Sequence, residues 1–201
     1  MKGSKSRRSF VASHLQDIPK SGIRDFFDIV STRKDIISLS IGEPDFVTPW
    51  HIREASIFAL NRGATAYTAN LGLLELRQLL SKYVNKSFGV EYDPLSEILV
   101  TVGVSEAMDI AIRAITEPGD EIVYHEPCFV SYAPVIILAH GTPVPVVTRS
   151  EDEFRLTPDM LRKKITDRTK ALVLNFPTNP TGAVLERKDV EGLPALDAGS
   201  G

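Results

Sequence analysis

The stretch Lys170–Gly182, KALVLNFPTNPTG, decides the fold of this 201-residue chain. It opens with the apolar run Ala171–Leu174, a pattern typical of a strand covered on both faces in a parallel sheet. Because Pro177 and Pro180 fix their own φ and favour extended backbone before them, the loop is stiff and holds the Asn179 amide in place. An ordinary turn is the alternative for this motif taken alone. The pattern predicts a binding crevice at the carboxyl end of the strand.

Composition and charge exclude several classes of protein. Apolar residues make up 43% of the chain and charged residues 24%, as in soluble globular proteins, and the length fits one or two domains. The net charge is −3, and no block of like charge occurs beyond the first few residues, so neither nucleic acid nor an anionic membrane is predicted as a partner. No apolar run is long enough for a secretory signal or a membrane span. We therefore expect a small-molecule role in the cytoplasm, with the basic segment MKGSKSRRS as a solvated arm; a transit peptide is the alternative for that segment.

Cysteine and histidine are too sparse to indicate a disulfide or a metal site. Cys128 is the only cysteine, which excludes an internal disulfide and favours a reducing compartment. It fits a small buried residue better than a nucleophile. The histidines are far apart in the sequence and form no helical i, i+4 pair, so no metal is predicted; they are His14, His51, His125 and His140.

Helical and extended patterns alternate along the chain. Apolar residues at helical spacing predict amphipathic helices over Leu76–Val84 and Ala107–Ile115. Further helices are predicted to begin at Thr48-Pro49, at Thr157-Pro158 and near Glu186. The predicted strands are Ile98–Val102, Glu121–Tyr124, Pro143–Val147 and Ala171–Leu174. Strands separated by helices predict an α/β fold with a largely parallel, helix-covered sheet.

A second candidate site follows the predicted strand Ile98–Val102. Gly103 permits a tight turn, which leaves the first amides of the next helix and the Ser105 hydroxyl free to hold an anion, most naturally a phosphate. A plain N-cap serine explains Ser105 equally well. The segment lacks the Walker lysine and the further glycines of a dinucleotide fingerprint. The predicted ligand is therefore smaller than a nucleotide.

Several short motifs occur along the chain in a fixed order. They are Gly42–Phe46 (GEPDF), Ala66–Thr68 (AYT), Gly72, Glu75–Arg77 (ELR), Gly103–Ala107 (GVSEA), Pro127–Tyr132 (PCFVSY) and Asn179–Gly182 (NPTG). This ordered set, between Ser21 and Lys188, resembles the class I/II aminotransferases, which are pyridoxal-phosphate enzymes of the aspartate aminotransferase fold. The resemblance implies the three-layer αβα large domain of the type I pyridoxal-phosphate transferase fold, with a mainly parallel sheet. The implied boundaries are an arm over 1–20, a small-domain segment over 21–47, a partial large domain over 48–190 and a divergent tail over 191–201.

The resemblance also implies a set of cofactor-binding residues. The phosphate of pyridoxal 5′-phosphate would be held at the start of a helix by Gly103, Val104 and Ser105. Phe129 matches the aromatic residue that stacks on the pyridine ring; an ordinary core aromatic is the alternative. Tyr67 matches the tyrosine that reaches the phosphate of the neighbouring subunit, a role that requires a homodimer.

Substrate-binding roles are implied for Gly42 and Asn179. Gly42 matches the position where the backbone approaches the substrate carboxylate, and the Asn179 amide matches the group that contacts the cofactor's phenolic oxygen and that carboxylate. The family's Schiff-base lysine, and its aspartate and arginine partners, lie after the NPTG loop. No catalytic residue is predicted, because Lys163, Lys164, Lys170 and Lys188 fall on polar faces or at element edges.

The implied reaction is the transfer of an amino group from an amino acid to a 2-oxo acid. Because the sequence departs from the family near Glu191, we expect an N-terminal half that is truncated and inactive alone. A non-catalytic interaction fragment and a pyridoxal-phosphate lyase of the same fold are the alternatives. Aspartate, aromatic and alanine-type donors all stay open.

Overall fold

The computed structural model describes residues 10–18, 42 and 44–193. The described residues belong to two compact units, one within Gly22–Val102 and one formed by Met1–Ser21 with Gly103–Gly201. The strands are β1 (Glu121–Glu126), β2 (Thr142–Val147) and β3 (Thr169–Val173). The α-helices are α1 (Trp50–Asn61), α2 (Leu74–Phe88), α3 (Gly103–Ile115), α4 (Tyr132–Leu138), α5 (Pro158–Arg162) and α6 (Arg187–Glu191), and 3-10 helices span Ser13–Asp17 and Ser150–Asp152.

The unit that contains Gly103–Gly201 is built on a parallel sheet in the order β2-β1-β3. Val123 at the centre of β1 is in register with Val144 of β2 and with Leu172 of β3. The three strands predicted over this region are confirmed, with ends that move by at most two residues. Buried residues run through β1, whereas β3 is only half-buried because it is an edge strand of the described sheet. The run Ala171–Leu174 is thus less covered than its apolar sequence predicts.

Alternation along β1 supplies an apolar surface to each face of the sheet. On one face, Ile122 and Tyr124 belong to a cluster that we call the α3/α4 cluster, with Ile112, Tyr132, Val135, Ile136 and Ala139. On the other face, Val123 belongs to the α5 cluster, with Val146, Leu156 and Leu161. Helices therefore cover both faces, and the predicted three-layer αβα arrangement is confirmed.

The secondary structure differs from the sequence prediction in two places. Ile98–Val102 was expected as a strand but forms none, and in this segment the Val100 N–H donates to the Leu71 carbonyl at 3.0 Å rather than to a strand. A strand needs a partner, and an apolar run by itself does not provide one. Helix α4 was not predicted, because periodicity does not separate helix from strand in a short apolar run such as YAPVIIL.

The unit within Gly22–Val102 contains α1 and α2 among its described residues. The predicted amphipathic helix is confirmed as α2, which ends at Gly89 with φ +70°. At the other end, Gly72 has φ +97°, and a Cβ there would lie 2.7 Å from the Val100 Cβ, so only glycine fits. Helix α1 begins one residue later than predicted, with Pro49 as its N-cap.

Most of the predicted small-domain segment, 21–47, and most of the tail, 191–201, lie outside the described residues. The boundaries set for the arm, the small-domain segment, the large domain and the tail stay predictions. Among the residues described, no helix is long and apolar enough to cross a membrane.

Candidate active site

The loop after β3 carries the Asn179 amide, which is exposed. Three hydrogen bonds of Thr178 shape this loop. Its N–H donates to the Ala183 carbonyl at 2.9 Å, its carbonyl accepts from the Gly182 N–H at 2.7 Å, and its hydroxyl donates to the Asn175 carbonyl at 3.1 Å. The stiffness predicted from the prolines is therefore reinforced by bonds of a residue that the sequence did not single out.

The base of this loop is fixed against β1. The Phe176 ring stacks on the His125 ring, with centroids 4.7 Å apart and planes 24° apart. His125 is buried, and burial lowers its pKa, although the interaction of its ring with the Asn175 backbone opposes that shift. The imidazole is therefore favoured in its neutral form. Its Nε2 has no hydrogen-bond partner among the described residues.

The second loop at this sheet edge follows β1 and carries Phe129. This ring is half-buried, packs against the α3/α4 cluster and meets the Tyr132 ring edge-on, with centroids 6.0 Å apart. Tyr132 is buried, and burial raises its pKa, while a hydrogen bond with the Asn175 side chain lowers it. Tyr132 therefore contacts both Phe129 and the residue at which the Asn179 loop begins.

The two loops are brought together by strand pairing. Tyr124 near the end of β1 is in register with Val173 at the end of β3, and the strands run parallel. The segments that follow them, with Phe129 and Asn179, therefore leave the sheet at the same edge. Cys128 lies beside Phe129; burial, and secondarily the Glu126 carboxylate, raise its pKa to about 11, which disfavours the reactive thiolate.

The predicted phosphate-binding turn is the beginning of α3. Gly103 has φ +78°, and apart from its chain neighbours and its own helix backbone no described atom lies within 4 Å of a Cβ built there. Val104 and Ser105 are exposed in the first turn. Met108 in the second turn of the helix packs against the α3/α4 cluster, as Phe129 does. The same apolar cluster thus supports the start of this helix and the aromatic ring.

Tyr67 and Gly42, the remaining predicted site residues, belong to the other compact unit. The Tyr67 side chain is fully exposed, and among the described residues none comes within 4 Å of a Cβ built at Gly42. Their roles stay predictions.

No buried lysine occurs in the described part of the chain. Lys163, Lys164, Lys170 and Lys188 are exposed, and so are Lys82 and Lys86. The described residues also contain no cluster of three or more side chains suited to a metal ion. His14 and His140, far apart in sequence, do meet with ring centroids 4.8 Å apart, but they form a pair only.

Three residues at this sheet edge were not predicted: His125, Tyr132 and Thr178. Tyr132 lies within the PCFVSY motif, but its contact with Asn175 joins positions 43 residues apart, which no local pattern shows. The peptide bonds before Pro127, Pro177 and Pro180 are cis, which was also not predicted.

Comparison with known proteins decides the family. Residues 34–196 match the family model described as aminotransferase class I and II. The chain belongs to this family.

Aminotransferases of bacteria and archaea are among the similar proteins. The chain is 47% identical to a putative aminotransferase, YugH, of Bacillus subtilis over 92% of its own length and 48% of the relative's. It is 48% identical to an aspartate aminotransferase of Pyrococcus abyssi over 91% of its own length and 47% of the relative's. The solved aspartate aminotransferase of Thermus thermophilus with maleate is 36% identical, with a TM-score of 0.84 over 92% of this chain and 50% of the other. The chain therefore spans about half the length of the curated aminotransferases it matches.

The residues at the sheet edge suit the cofactor of class I/II aminotransferases. Backbone amides and a hydroxyl at a helix N-terminus favour a phosphate, and among the described residues the space around a Cβ built at Gly103 is empty. A half-buried aromatic ring and an exposed amide are the groups expected around a polar heteroaromatic ring. Phe129 and Asn179 supply them.

Proposed function

We propose that this chain supplies the cofactor-binding part of a pyridoxal-phosphate-dependent aminotransferase. The observation that carries the proposal is the parallel pairing of β1 and β3, which leads the Phe129 and Asn179 loops out at one sheet edge. The α3/α4 cluster, which contacts both Phe129 and Met108 of α3, supports the helix that begins at Gly103.

The described residues would bind and orient pyridoxal 5′-phosphate, which supplies an electron sink for the amino-acid substrate when bound. Amides of Gly103 and Val104 and the Ser105 hydroxyl would hold the phosphate, with the helix dipole favouring the anion. The Phe129 ring would cover one face of the pyridine ring and exclude water from it. The Asn179 amide would donate to the phenolic oxygen and to the substrate carboxylate without adding charge.

The substrates are proposed as an amino acid and a 2-oxo acid, as the names of the relatives support. Those names include aspartate and aromatic amino acids, so the donor is proposed only as a class. A homodimer is proposed because Tyr67 would serve the neighbouring subunit. Large exposed apolar residues of α1 support it, since such patches mark interfaces; they include Trp50, Ile57 and Phe58. Cytoplasmic location stays an expectation.

A second candidate is cofactor binding without catalysis by this chain alone. Every lysine in the described part of the chain is exposed, and a Schiff-base lysine works in a desolvated pocket that lowers its pKa. We therefore expect no transaminase turnover above free cofactor from the 201-residue chain. Steady turnover that follows the purified protein, or borohydride trapping of cofactor on one stoichiometric lysine, would show that a lysine of this chain forms the Schiff base.

The binding test compares pyridoxal 5′-phosphate with pyridoxal, followed by fluorescence and induced circular dichroism. We expect the phosphorylated form to bind more tightly, and Ser105→Ala to weaken its binding by roughly 1 to 3 kcal/mol. Ser87→Ala is the control, because Ser87 is an exposed helical serine in the other compact unit. Equal affinity for the two compounds would show that the chain does not recognise the phosphate. An unchanged affinity of Ser105→Ala would show that Ser105 only caps the helix.

A further inference from the structure

Asn179 is exposed on a loop, so its amide needs another residue to fix its direction. We propose that Thr178 is the positioning residue that orients the Asn179 amide toward the phenolic oxygen of the cofactor. This inference rests on the proposed function, because it assigns the amide the contact that the family implies. Thr178 is itself buried, with 5% of its surface exposed, and does not reach the ligand.

Three bonds of Thr178 close the loop on both sides of Asn179. The hydroxyl donates back to the Asn175 carbonyl at 3.1 Å, which ties the residue to the end of β3. The backbone N–H and carbonyl bond forward to Ala183 and Gly182 at 2.9 and 2.7 Å. Only the hydroxyl bond depends on the side chain, so it is the part of this closure that a substitution can remove.

The Thr178 hydroxyl bonds to Asn175, and the residues around Asn175 are held by contacts of their own. Next to Asn175, the Phe176 ring stacks on the buried His125 ring. The Asn175 side chain interacts with Tyr132, whose ring meets Phe129 edge-on. The bond from Thr178 to Asn175 therefore fixes the position of Asn179 relative to Tyr132, which also contacts the Phe129 ring. Removal of the bond should loosen the amide and leave the ring in place.

A purely structural threonine is the competing explanation, and the chain contains a matched example. Thr148 is also 5% exposed, follows the end of β2, and donates its hydroxyl to a backbone carbonyl, that of Glu126, at 2.7 Å. If Thr178 contributes only stability, its substitution by the nearly isosteric valine should act on ligand binding as the same substitution at Thr148 does.

The experiment measures binding of two probes to the 201-residue chain and to its Thr178→Val, Thr178→Ser and Thr148→Val variants. The probes are pyridoxal 5′-phosphate and its 3-deoxy analogue, which lacks the phenolic oxygen. We expect Thr178→Val to weaken binding of pyridoxal 5′-phosphate about fivefold, the effect of one neutral hydrogen bond, and to change binding of the analogue less than about twofold. Thr178→Ser should restore the ratio of the two probes' affinities to that of the unsubstituted chain, and Thr148→Val should leave this ratio unchanged.

A measurement without ligand separates this inference from the proposed function. Hydrogen exchange at the Gly182 amide should become about fivefold faster in Thr178→Val, because the loop opens more often, and should keep its rate in Thr148→Val. Failure of the unsubstituted chain to bind either probe would count against the proposed function, while the exchange rates would still test Thr178. Equal weakening of both probes, or unchanged Gly182 exchange, would overturn the positioning role.

Discussion

The two compact units of this chain bury different kinds of side chain. In the unit with the sheet, apolar residues fill both faces of β1, and Ile122 and Val123 have no exposed surface. In the other unit, α1 has no buried residue, and α2 buries only the charged residue Arg77. A sheet with helices on both faces can remove apolar side chains from water, whereas two exposed helices cannot. Apolar burial thus holds the strands that carry the candidate site.

In the unit with α1 and α2, the buried side chain of Arg77 joins separate segments of the chain, as the apolar clusters do in the sheet unit. Its Nε donates to the Gly72 carbonyl at 3.2 Å, and its Nη1 donates to the carbonyls of Pro94 and Leu95. These bonds join the turn before α2 to the segment after it. The guanidinium is buried, and the acceptors of its Nε and Nη1 are neutral carbonyl oxygens.

The largest expected effect tests apolar burial in the two units directly. Ile122→Ala should lower the free energy of unfolding by about 3 kcal/mol, because it leaves a cavity in the centre of β1. Leu79→Ala should change it by less than about 0.5 kcal/mol, since that side chain is 62% exposed. Urea unfolding of both variants measures the difference. Similar losses would mean that Leu79 is buried in solution, and that the contrast between the units is wrong.

A smaller effect on the free energy of unfolding is expected from removal of the Arg77 hydrogen bonds. Arg77→Met keeps the apolar stem but leaves three carbonyls without their donor, and should cost about 2 kcal/mol. The control is Arg62→Met, because the Arg62 guanidinium lies at 5.4 Å over the ring of Phe58, which is exposed. Limited proteolysis between positions 71 and 100 is the measurement, and it should accelerate in Arg77→Met alone. Equal cleavage of both variants would show that the carbonyl bonds do not order this segment.

The same contrast explains what could be predicted from the sequence. The strands around Val123, Val144 and Leu172 were predictable because their apolar runs are local and lead to burial wherever the chain forms a sheet. Ile98–Val102 has an equally apolar run, but it lacks a neighbouring strand among the described residues. A strand pattern therefore predicts extended backbone but not its pairing, which depends on segments far away in sequence.

The candidate site was predictable to the same extent. Asn179 and Gly103 could be found because proline and glycine leave local signals in the loops that carry them. The contacts that hold those loops could not, because the His125–Phe176 stack and the Tyr132–Asn175 interaction cross from one element to another. Motifs thus predict which residues would meet the ligand, whereas the contacts that hold their loops appear only in the three-dimensional structure.

The sheet unit also contains a buried ionic contact, although apolar residues make up most of its core. This contact gives the prediction with the smallest expected effect. The Asp189 carboxylate, on α6, is buried and accepts two hydrogen bonds from Arg155, at 2.8 and 3.1 Å. These bonds, and secondarily the positive charge, hold the pKa of Asp189 below its ordinary value of 3.8. A carboxylate whose pKa is lower in the folded state stabilises it fully above the unfolded pKa and loses that contribution as pH falls through the folded pKa.

We therefore expect Asp189→Asn to unfold more easily than the unsubstituted chain at neutral pH and to approach it as the pH falls below 3.8. The measurement is urea unfolding at a series of pH values from neutral to acid. Asp159→Asn is the control, because Asp159 also pairs with an arginine, Arg162, but its side chain is 81% exposed, and such surface pairs contribute little. A difference between Asp189→Asn and the unsubstituted chain that stays constant across this range would mean that the Arg155 contact does not depend on the charge of Asp189. Apolar packing alone would then hold α6 against the sheet.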